Sequence, residues 1–382
     1  MTMLSRLSQG LERRWVNPAY GGWVLLGLAI FFFAAATNTL AGWLYVMSGV
    51  MLALLAIAAV LPPRNLSGLD IQRQPIQPVS AGEPLLVELH IHNTQRQPKG
   101  LFQVIDPVPA RLGSVQRTAI GAVPPGQDCA WRYDLPTARR GVYRWQTVDL
   151  RSAAPLGLFW CRRKAVAPAL AMVYPQILPL QRCPLVDTLS PREGQQWHHS
   201  HRVQPSTEGV TRALRPYRWG DPTRLIHWRT SARYGELRVR ELEKVTASQE
   251  VILALNTVAP WASDDFEQAV IAAASLYSYL LKRGFAAVLW LPQLGFLRDY
   301  PGVLSALAAV EPAPKANGST GWPQPLSQPL VGLTTPTTAP PSLPPGSRLL
   351  IWGQPPAAAP SSADSPMVWI DAQAPLSPQL QG

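Results

Sequence analysis

The most distinctive stretch of this sequence is an arginine-rich segment that covers residues 206–243. Its charged residues are Arg212, Arg215, Arg218, Arg224, Arg229, Arg233, Arg238 and Arg240 against Glu208, Asp221, Glu236, Glu241 and Glu243. Guanidinium groups bind carboxylates and phosphates through paired, charge-assisted hydrogen bonds, so the segment has the side chains for recognising anions. Asp221, His227, Ser231 and Glu236 add residue types that transfer protons in enzymes.

Three interpretations of this segment are open. In the first, the arginines pair with aspartate and glutamate in a lattice that fixes an irregular segment, or they form a surface on which a partner docks. In the second they contact an anion or a nucleotide, and in the third they take part in catalysis. We favour the first, and the third is the least favoured because no nucleophile elbow, P-loop or zinc-ligand spacing supports catalysis. We therefore expect a protein that is not an enzyme and has no cofactor.

Local sequence rules predict how the segment folds. Asp221 is a good helix N-cap, and a short helix is expected from Thr223 to about Arg233. Gly235 is suited to end that helix with a positive φ. Leu237 and Val239 alternate with arginines, which predicts a strand after the helix.

Histidines and cysteines, which can bind metals, are present, but their spacing is not that of a metal site. His198, His199 and His201 lie within four residues, and His90 and His92 share one face of a predicted strand. Metal binding is the alternative for both groups, but adjacent histidines rarely share an ion without further ligands. We expect a polar loop and exposed strand positions, and no metal site. The cysteines, Cys129, Cys161 and Cys183, are scattered and show no ligand or disulfide spacing.

Two uncharged apolar stretches lie near the N-terminus, before all the segments described above. Residues 20–36 and 40–61 are mostly apolar, and about 20 helical residues cross the hydrocarbon core of a bilayer. The stretches therefore predict a transmembrane helical hairpin. Pro62 and Pro63 are expected to end its second helix, because proline removes a backbone donor and clashes with the preceding turn.

The charges that flank the hairpin predict its orientation. Arg6, Arg13 and Arg14 precede it, Arg64 and Arg73 follow it, and the connecting loop is uncharged. The positive-inside rule then places residues 1–19 and the soluble part in the cytoplasm. The alternative is a cleaved signal peptide ending near Ala36, which would leave the soluble part outside. The net charge of +11 suits either nucleic acid or the anionic inner leaflet. We favour the leaflet, and nucleic acid is the less expected partner.

The middle of the chain, residues 66–178, reads as a small antiparallel β-sandwich. Leu85, Val87, Leu89 and Ile91 alternate with polar residues, which is typical of a half-buried strand. Further predicted strands are Leu101–Ile105, Ala130–Leu135, Tyr143–Leu150 and Leu170–Tyr174. Prolines and glycines between them indicate turns.

The last third of the chain alternates strand and helix patterns. A strand at residues 248–257 precedes a helix from Ser263 to Arg283, and further strands are predicted at 285–291, 348–352 and 367–370 with a helix at 302–310. This order favours a parallel α/β sheet. Residues 311–347 read as a flexible proline-rich insertion and residues 372–382 as a disordered tail.

The arginine-rich segment also carries a resemblance. The matching residues are Leu214, Arg215, Tyr217, Gly220, Asp221, Arg224, Ile226, His227, Trp228, Ser231, Ala232, Arg233, Gly235, Glu236, Leu237, Val239 and Glu241. Their pattern resembles the signature of the bacterial domain-of-unknown-function 58 family over about forty residues. Arg140-Gly141-x-Tyr143 and Pro155-Leu156-Gly157-Leu158-Phe159 in the middle segment fit the same family.

The resemblance implies a fold, a location and partners. It implies a membrane-anchored α+β protein of the inner membrane, in which residues 179–371 form a von Willebrand factor A-like domain. Implied partners are a MoxR-type AAA+ ATPase and other von Willebrand factor A proteins. The residues implied as partner or anion contacts are Arg215, Tyr217, Gly220, Asp221, Arg224, His227, Trp228, Ser231, Arg233, Glu236 and Glu241.

The resemblance also bears on metal binding. Such folds often hold a divalent cation through Asp-x-Ser-x-Ser after the first strand. Here the corresponding run is Asn256-Thr257-Val258-Ala259-Pro260, which lacks the leading carboxylate and both hydroxyl positions. Because a hard cation needs those oxygens, metal binding in that manner is not expected.

Overall fold

The computed structural model describes residues 12, 15–187, 199–206, 210–219, 221–313, 321–323, 330–338, 343–344, 346–354 and 367–382, with the backbone alone for 199–206, 210–213 and 241–249. The chain divides into two compact units, Met1–Tyr174 (unit 1) and Pro175–Gly382 (unit 2).

Unit 1 begins with two apolar helices, α1 (Tyr20–Thr39) and α2 (Gly42–Leu66). Both are long and apolar enough to span a membrane, which indicates membrane association. Small residues allow the two helices to approach, and Ser48 Oγ donates to the Ala29 carbonyl 2.9 Å away. Large apolar side chains point outward from the pair, among them Ile30, Phe31, Phe33, Val46, Val50 and Ile57.

Helix α2 does not end at the two prolines. It continues through Pro62 and Pro63 to Leu66, so the predicted end at Leu61 is wrong. Tertiary contacts hold the extra turn: Asn65 Nδ2 donates to the Gly100 carbonyl at 2.7 Å, and Leu66 is buried in the core. These contacts offset the backbone hydrogen bonds that the prolines remove.

The rest of unit 1 is built from strands. They are β1 (Asn17–Pro18), β2 (Leu69–Arg73), β3 (Val79–Ser80), β4 (Pro84–Asn93), β5 (Lys99–Asp106), β6 (Gln116–Val123), β7 (Asp128–Pro136), β8 (Gly141–Ser152) and β9 (Phe159–Tyr174). One sheet has the order β1-β9-β8-β5-β6 with β3 beside β9, and the other has the order β2-β4-β7. The inward residues of both sheets share one core, including Ile91 and Phe102, and we call this two-sheet body the sandwich.

A buried ion pair lies between the two sheets of the sandwich. Arg73 Nη1 donates to Asp106 Oδ2 at 2.5 Å, and both side chains are almost fully buried. Tyr133 and Trp145 donate to the two oxygens of the same carboxylate at 2.6 and 2.8 Å. Arg73 is therefore a core residue, and its use above as a membrane-flanking charge is corrected. Of the flanking arginines that the structure describes, Arg64 alone stays exposed.

Unit 2 mixes helices and strands. Its helices are α3 (Pro184–Asp187), α4 (Trp228–Tyr234), α5 (Ser263–Lys282), α6 (Tyr300–Ala309) and α7 (Leu376–Gln381). Its strands are β10 (His199–Ser206), β11 (Val210–Pro216), β12 (Arg238–Leu255), β13 (Ala286–Leu291), β14 (Gly295–Leu297), β15 (Leu330–Thr334), β16 (Arg348–Trp352) and β17 (Met367–Ile370).

One sheet organises unit 2. Its order is β14-β13-β12-β15-β16-β17, with β10 and β11 both paired to the long strand β12. Neighbours from β13 to β17 pair in parallel, whereas β14, β10 and β11 pair antiparallel. Helix α5 is buried along most of its length, and its buried side chains include Phe266, Val270, Ala273, Tyr277 and Leu280, which recur at helical spacing. Its N-cap is Ala262, which makes no side-chain capping hydrogen bond.

Two predictions about the last third of the chain are corrected. Within the predicted proline-rich insertion, Leu330–Thr334 is a fully buried strand between β12 and β16. Within the predicted disordered tail, α7 buries Leu376 and Leu380. The two N-terminal apolar helices and the mixed α+β content with several sheets are confirmed.

Candidate functional site

The arginine-rich segment lies between β11 and β12, and its backbone is fixed to the start of β12. The Tyr217 N–H donates to the Leu237 carbonyl and the His227 N–H donates to the Arg238 carbonyl, both at 2.8 Å. Ile226 is buried and forms an isolated bridge with Val239. The irregular chain between the two strands is thus held against β12 at three places.

Arg215 and Asp221 form a bidentate ion pair at the base of this segment. Arg215 Nη1 and Nη2 donate to the two Asp221 carboxylate oxygens, each at 2.7 Å, and the Arg218 N–H donates to one of them at 2.8 Å. The hydrogen bonds from Arg215 lower the pKa of Asp221 below its ordinary value, and the Arg218 N–H adds to the effect. The pair closes the turn that leads into the segment.

The helical part of the segment differs from the prediction. Thr223–Leu225 is a single 3₁₀ turn, and the α-helix begins only at Trp228. Asp221 is not its N-cap, because its carboxylate is engaged by Arg215. His227 takes that role, and the predicted end at Gly235 is confirmed by φ of 72° and its N–H bonded to the Ser231 carbonyl.

His227 and Ser231 are close together but are not arranged as a base and a nucleophile. His227 Nδ1 accepts from the Thr230 N–H at 3.2 Å, which is an N-cap hydrogen bond. The buried Ser231 hydroxyl donates to the His227 backbone carbonyl at 3.1 Å and accepts from the Arg238 N–H at 2.9 Å. Both side chains therefore stabilise the turn and the helix rather than each other.

Large aromatic and basic side chains of the segment point outward. Trp219 is fully exposed, and Trp228 and Tyr234 are 65% and 59% exposed. The exposed residues that we call the arginine–tryptophan surface are Arg218, Trp219, Arg224, Trp228, Arg229, Arg233 and Tyr234. Among the residues that the structure describes, these four arginines make no ion pair. Glu236 is also exposed, so the surface has a net positive charge.

Some predicted contact residues cannot be assigned a place. Gly220 and His198 lie outside the described residues. Glu241 pairs with Ala213 through the backbone of β12, but its side chain lies outside the described part, as do those of His199 and His201. The structure thus brings Arg215 to Asp221 and His227 to Ser231, and it exposes Arg224, Trp228, Arg233 and Glu236.

The sheet of unit 2 offers a second place to look for a site, at the carboxyl ends of β12 and β15. In parallel α/β sheets this edge commonly holds ligands. Here Asn256 Oδ1 accepts from the Val258 N–H at 3.1 Å, and Gln293 Nε2 donates to Thr257 Oγ1 at 2.7 Å. Asn256 Nδ2 also faces Thr334 Oγ1 at 3.4 Å. The amide and hydroxyl groups of these four described residues bond to one another or to the backbone, and none of the four is a carboxylate.

The predicted histidine positions on β4 are satisfied by carboxylates. His90 Nε2 lies 2.9 Å from Glu88 Oε1, and His92 Nδ1 lies 2.5 Å from Asp128 Oδ1. The hydrogen bond from Arg132 is the main cause that lowers the pKa of Glu88; burial opposes it, and the hydrogen bond from His90 adds a smaller lowering. Within the described ranges, no cluster of three or more His, Cys, Asp or Glu side chains has the geometry for a metal.

Sequence reasoning missed two features. It overlooked the exposure of Trp219 and Tyr234, although aromatic residues between exposed arginines are themselves a sign of an interface. It also missed the buried partner of Arg73, because Asp106 lies in a different strand and no local pattern links the two. The sequence did offer one sign of this buried pair: Arg73 is the one basic residue of β2, a strand that also carries the apolar Leu69 and Ile71.

Comparison with solved structures gives weak similarities to the three structures that follow. The solution NMR structure of the CARDB domain of PF1109 from Pyrococcus furiosus is 10% identical, with 26% of this chain and 94% of that chain covered and a TM-score of 0.19. The crystal structure of the same domain in complex with di-metal ions is 13% identical, with 28% of this chain and 86% of that chain covered and a TM-score of 0.22. The crystal structure of red sea bream transglutaminase is 16% identical, with 28% of this chain and 15% of that chain covered and a TM-score of 0.22. At these TM-scores the similarities carry no argument about fold or function.

Comparison at the level of sequence is more informative. No curated protein matches the chain. Residues 213–287 match the family model described as protein of unknown function DUF58, and this range contains the segment from β11 through α4 to β12. Both the family model and the signature residues fall on the same segment, and the match over residues 213–287 confirms the resemblance to the DUF58 family.

Proposed function

We propose that this protein is a membrane-tethered, non-enzymatic interaction or assembly factor that acts with a MoxR-type AAA+ ATPase. The observation that carries the proposal is the arginine–tryptophan surface. Tryptophan, tyrosine and arginine are the residues most enriched in the energetic centres of protein interfaces. The choice of an ATPase partner rests on the family resemblance.

A rigid base beneath the exposed side chains supports docking. The Arg215–Asp221 pair, the His227 cap and the Ser231 hydroxyl hold the backbone of the segment. A pre-ordered surface loses less conformational entropy when a partner binds. The same hydrogen bonds engage the Ser231 hydroxyl, which argues against a nucleophilic role for it.

The charge of the surface indicates the chemistry of the partner. Four exposed arginines and one exposed glutamate favour a face rich in carboxylates on the partner, because complementary charges accelerate encounter and select the partner. The exposed rings of Trp219 and Trp228 would then fill apolar recesses between those carboxylates.

The fold and location are part of the proposal. A von Willebrand factor A-like identity for unit 2 is supported by the parallel pairing of neighbours in the order β13-β12-β15-β16-β17, with α5 between β12 and β13 in the chain. Asn256 at the end of β12 is consistent with a form that binds no metal. An inner-membrane hairpin with both ends in the cytoplasm is supported by the exposed Arg64, the one flanking charge at the end of α2.

The proposal can be tested with the purified full-length protein and the MoxR-type ATPase from the same genome. The test variant is Arg224→Glu/Arg229→Glu, since Arg229 lies in the first turn of α4, where an acidic residue is compatible with the helix dipole. We expect wild type to bind the ATPase and the variant to lose binding. The matched control is Arg96→Glu/Arg111→Glu on exposed positions of unit 1, which changes the net charge equally and should bind as wild type does.

Two results would overturn the proposal. Equal binding by the test and control variants would show that the arginine–tryptophan surface is not the contact. Absence of binding by wild type, together with thermal stabilisation by inorganic phosphate or a nucleotide that Arg224→Glu/Arg229→Glu abolishes, would favour the second candidate. That candidate is an anion- or nucleotide-binding module, and the exposed, unpaired guanidiniums among the described residues are the observation behind it.

A further inference from the structure

The sandwich of unit 1 is joined directly to both ends of the helical hairpin. At the start of α1, the Ala19 N–H donates to the Leu158 carbonyl at 2.8 Å, and Gly22 lies so close to that carbonyl that a Cβ would collide with it. At the end of α2, Lys99 Nζ donates to the Arg64 carbonyl at 2.6 Å. The sandwich is therefore held against the helix ends instead of hanging from a linker.

One buried hydroxyl connects the loops at this junction. Ser152 Oγ donates to the Leu101 carbonyl at 2.9 Å and accepts from the Ala154 N–H at 3.1 Å. It also lies 3.2 Å from Asn65 Nδ2, at the end of α2. The strand that carries Leu101 and the loop that carries Leu156 are thus tied to the same turn of α2.

The length of α2 sets the depth of these loops. Its 25 residues measure about 37 Å at 1.5 Å per residue, and the hydrocarbon core is about 30 Å thick. The last turn, from Pro62 to Leu66, then lies in the headgroup layer when the helix spans the bilayer. Leu101 follows Gly100, which is hydrogen-bonded to Asn65, so it lies at the same level.

Three large apolar side chains near the helix ends are exposed. Trp15, Leu101 and Leu156 are 73%, 68% and 44% exposed. Single exposed apolar residues are ordinary on protein surfaces, but Leu101 also has φ of 52°, which is rare for a bulky residue. Arg64 is exposed in the same region.

We propose that Trp15, Leu101 and Leu156 form a lipid-contacting rim of the sandwich. The rim inserts into the interfacial layer of the bilayer that the hairpin crosses, while Arg64 contacts anionic headgroups. The inference rests on the proposed transmembrane hairpin. It adds that the sandwich lies on the membrane in a fixed orientation, with the exposed apolar side chains removed from water.

The test measures the depth of a fluorescent label in vesicles of phosphatidylcholine and phosphatidylglycerol. The full-length protein carries Cys129→Ser, which leaves the buried Cys161 and Cys183, and then one added cysteine labelled with an environment-sensitive dye. The rim variants are Leu101→Cys and Leu156→Cys. Ile30→Cys in α1 reports on the hairpin, and Leu170→Cys is the matched control.

Leu170 is a suitable control because it is 50% exposed on β9 and about 36 Å along the strand from Phe159, at 3.3 Å per residue. We expect nitroxide-bearing lipids to quench the label at 30, 101 and 156 and not at 170. Quenching at 30 with none at 101 and 156 would overturn the rim and keep the hairpin. Absence of quenching at 30 would remove the hairpin, and the rim with it.

Discussion

The guanidinium of Arg73 and the carboxylate of Asp106 form a salt bridge, 2.5 Å long, in the interior of the sandwich. Two more donors, the Tyr133 hydroxyl and the Trp145 indole N–H, complete the coordination of the carboxylate. The Arg73 guanidinium also lies 4.9 Å from the centre of the Trp145 ring. Burial raises the pKa of Tyr133, and the nearby Asp106 charge raises it further, so this phenol stays a donor at any ordinary pH.

Asp106→Asn should destabilise unit 1 strongly. Removing one charge leaves Arg73 buried and unpaired, and breaking such a pair costs about 3–5 kcal/mol. The measurement is the urea midpoint of the full-length protein in detergent, followed by near-ultraviolet circular dichroism. The control is Asp128→Asn, which removes an exposed partner of His92 and should leave the midpoint nearly unchanged. Equal midpoints for the two variants would show that the buried pair contributes little.

Asp221 should make stability depend on pH only in acid. Its folded-state pKa is depressed below the ordinary 3.8, so its contribution is complete above that value and is lost as the pH falls through the folded pKa. The difference in urea midpoint between wild type and Asp221→Asn should therefore be constant at neutral and mildly acidic pH and vanish in strong acid. A difference that changes near neutral pH would contradict the Arg215–Asp221 assignment.

Trp228→Ala should weaken binding to the proposed ATPase without affecting the fold. The side chain is 65% exposed, so its removal opens no cavity, whereas a central interface tryptophan contributes about 2 kcal/mol, or roughly 30-fold in Kd. Titration of labelled protein with the ATPase gives the Kd, and thermal unfolding gives the stability. Phe296→Ala, at a 50% exposed position on β14, is the control and should leave the Kd unchanged. A loss of stability in Trp228→Ala would instead indicate a packing role.

Local patterns predicted the parts of this protein that local forces decide. Helix α1, with 20 residues, matches the length that a bilayer requires, and α2, with 25, exceeds it. Gly235 ends α4 because it adopts a positive φ without a steric penalty. The helix start was wrong because Arg215, six residues away, engages Asp221 more strongly than a cap would. A bidentate ion pair thus overrode a local preference.

The remaining errors come from contacts that are distant in sequence. From the sequence, Arg73 is interpreted as a charge that flanks the membrane, whereas in the fold it pairs with the buried Asp106. Strand β15 is buried on both faces, so it shows a short apolar run instead of alternation, and the prolines around it dominate the composition. The extra turn of α2 depends on Asn65 meeting Gly100, which is 35 residues away.

The C-terminal helix α7 should be required for the stability of unit 2. Leu376 and Leu380 lie one turn apart and are buried, and Gln379 Nε2 donates to the Asp371 carbonyl at 2.9 Å, which fixes the start of the segment. Leu380→Ala removes a side chain that is 1% exposed and should cost about 2–5 kcal/mol, measured as the shift in unfolding midpoint. Gln373→Ala at an exposed position in the same segment should cause little change. If both substitutions left the midpoint unchanged, α7 would make no contribution, and the tail would behave as the composition of residues 372–382 suggests.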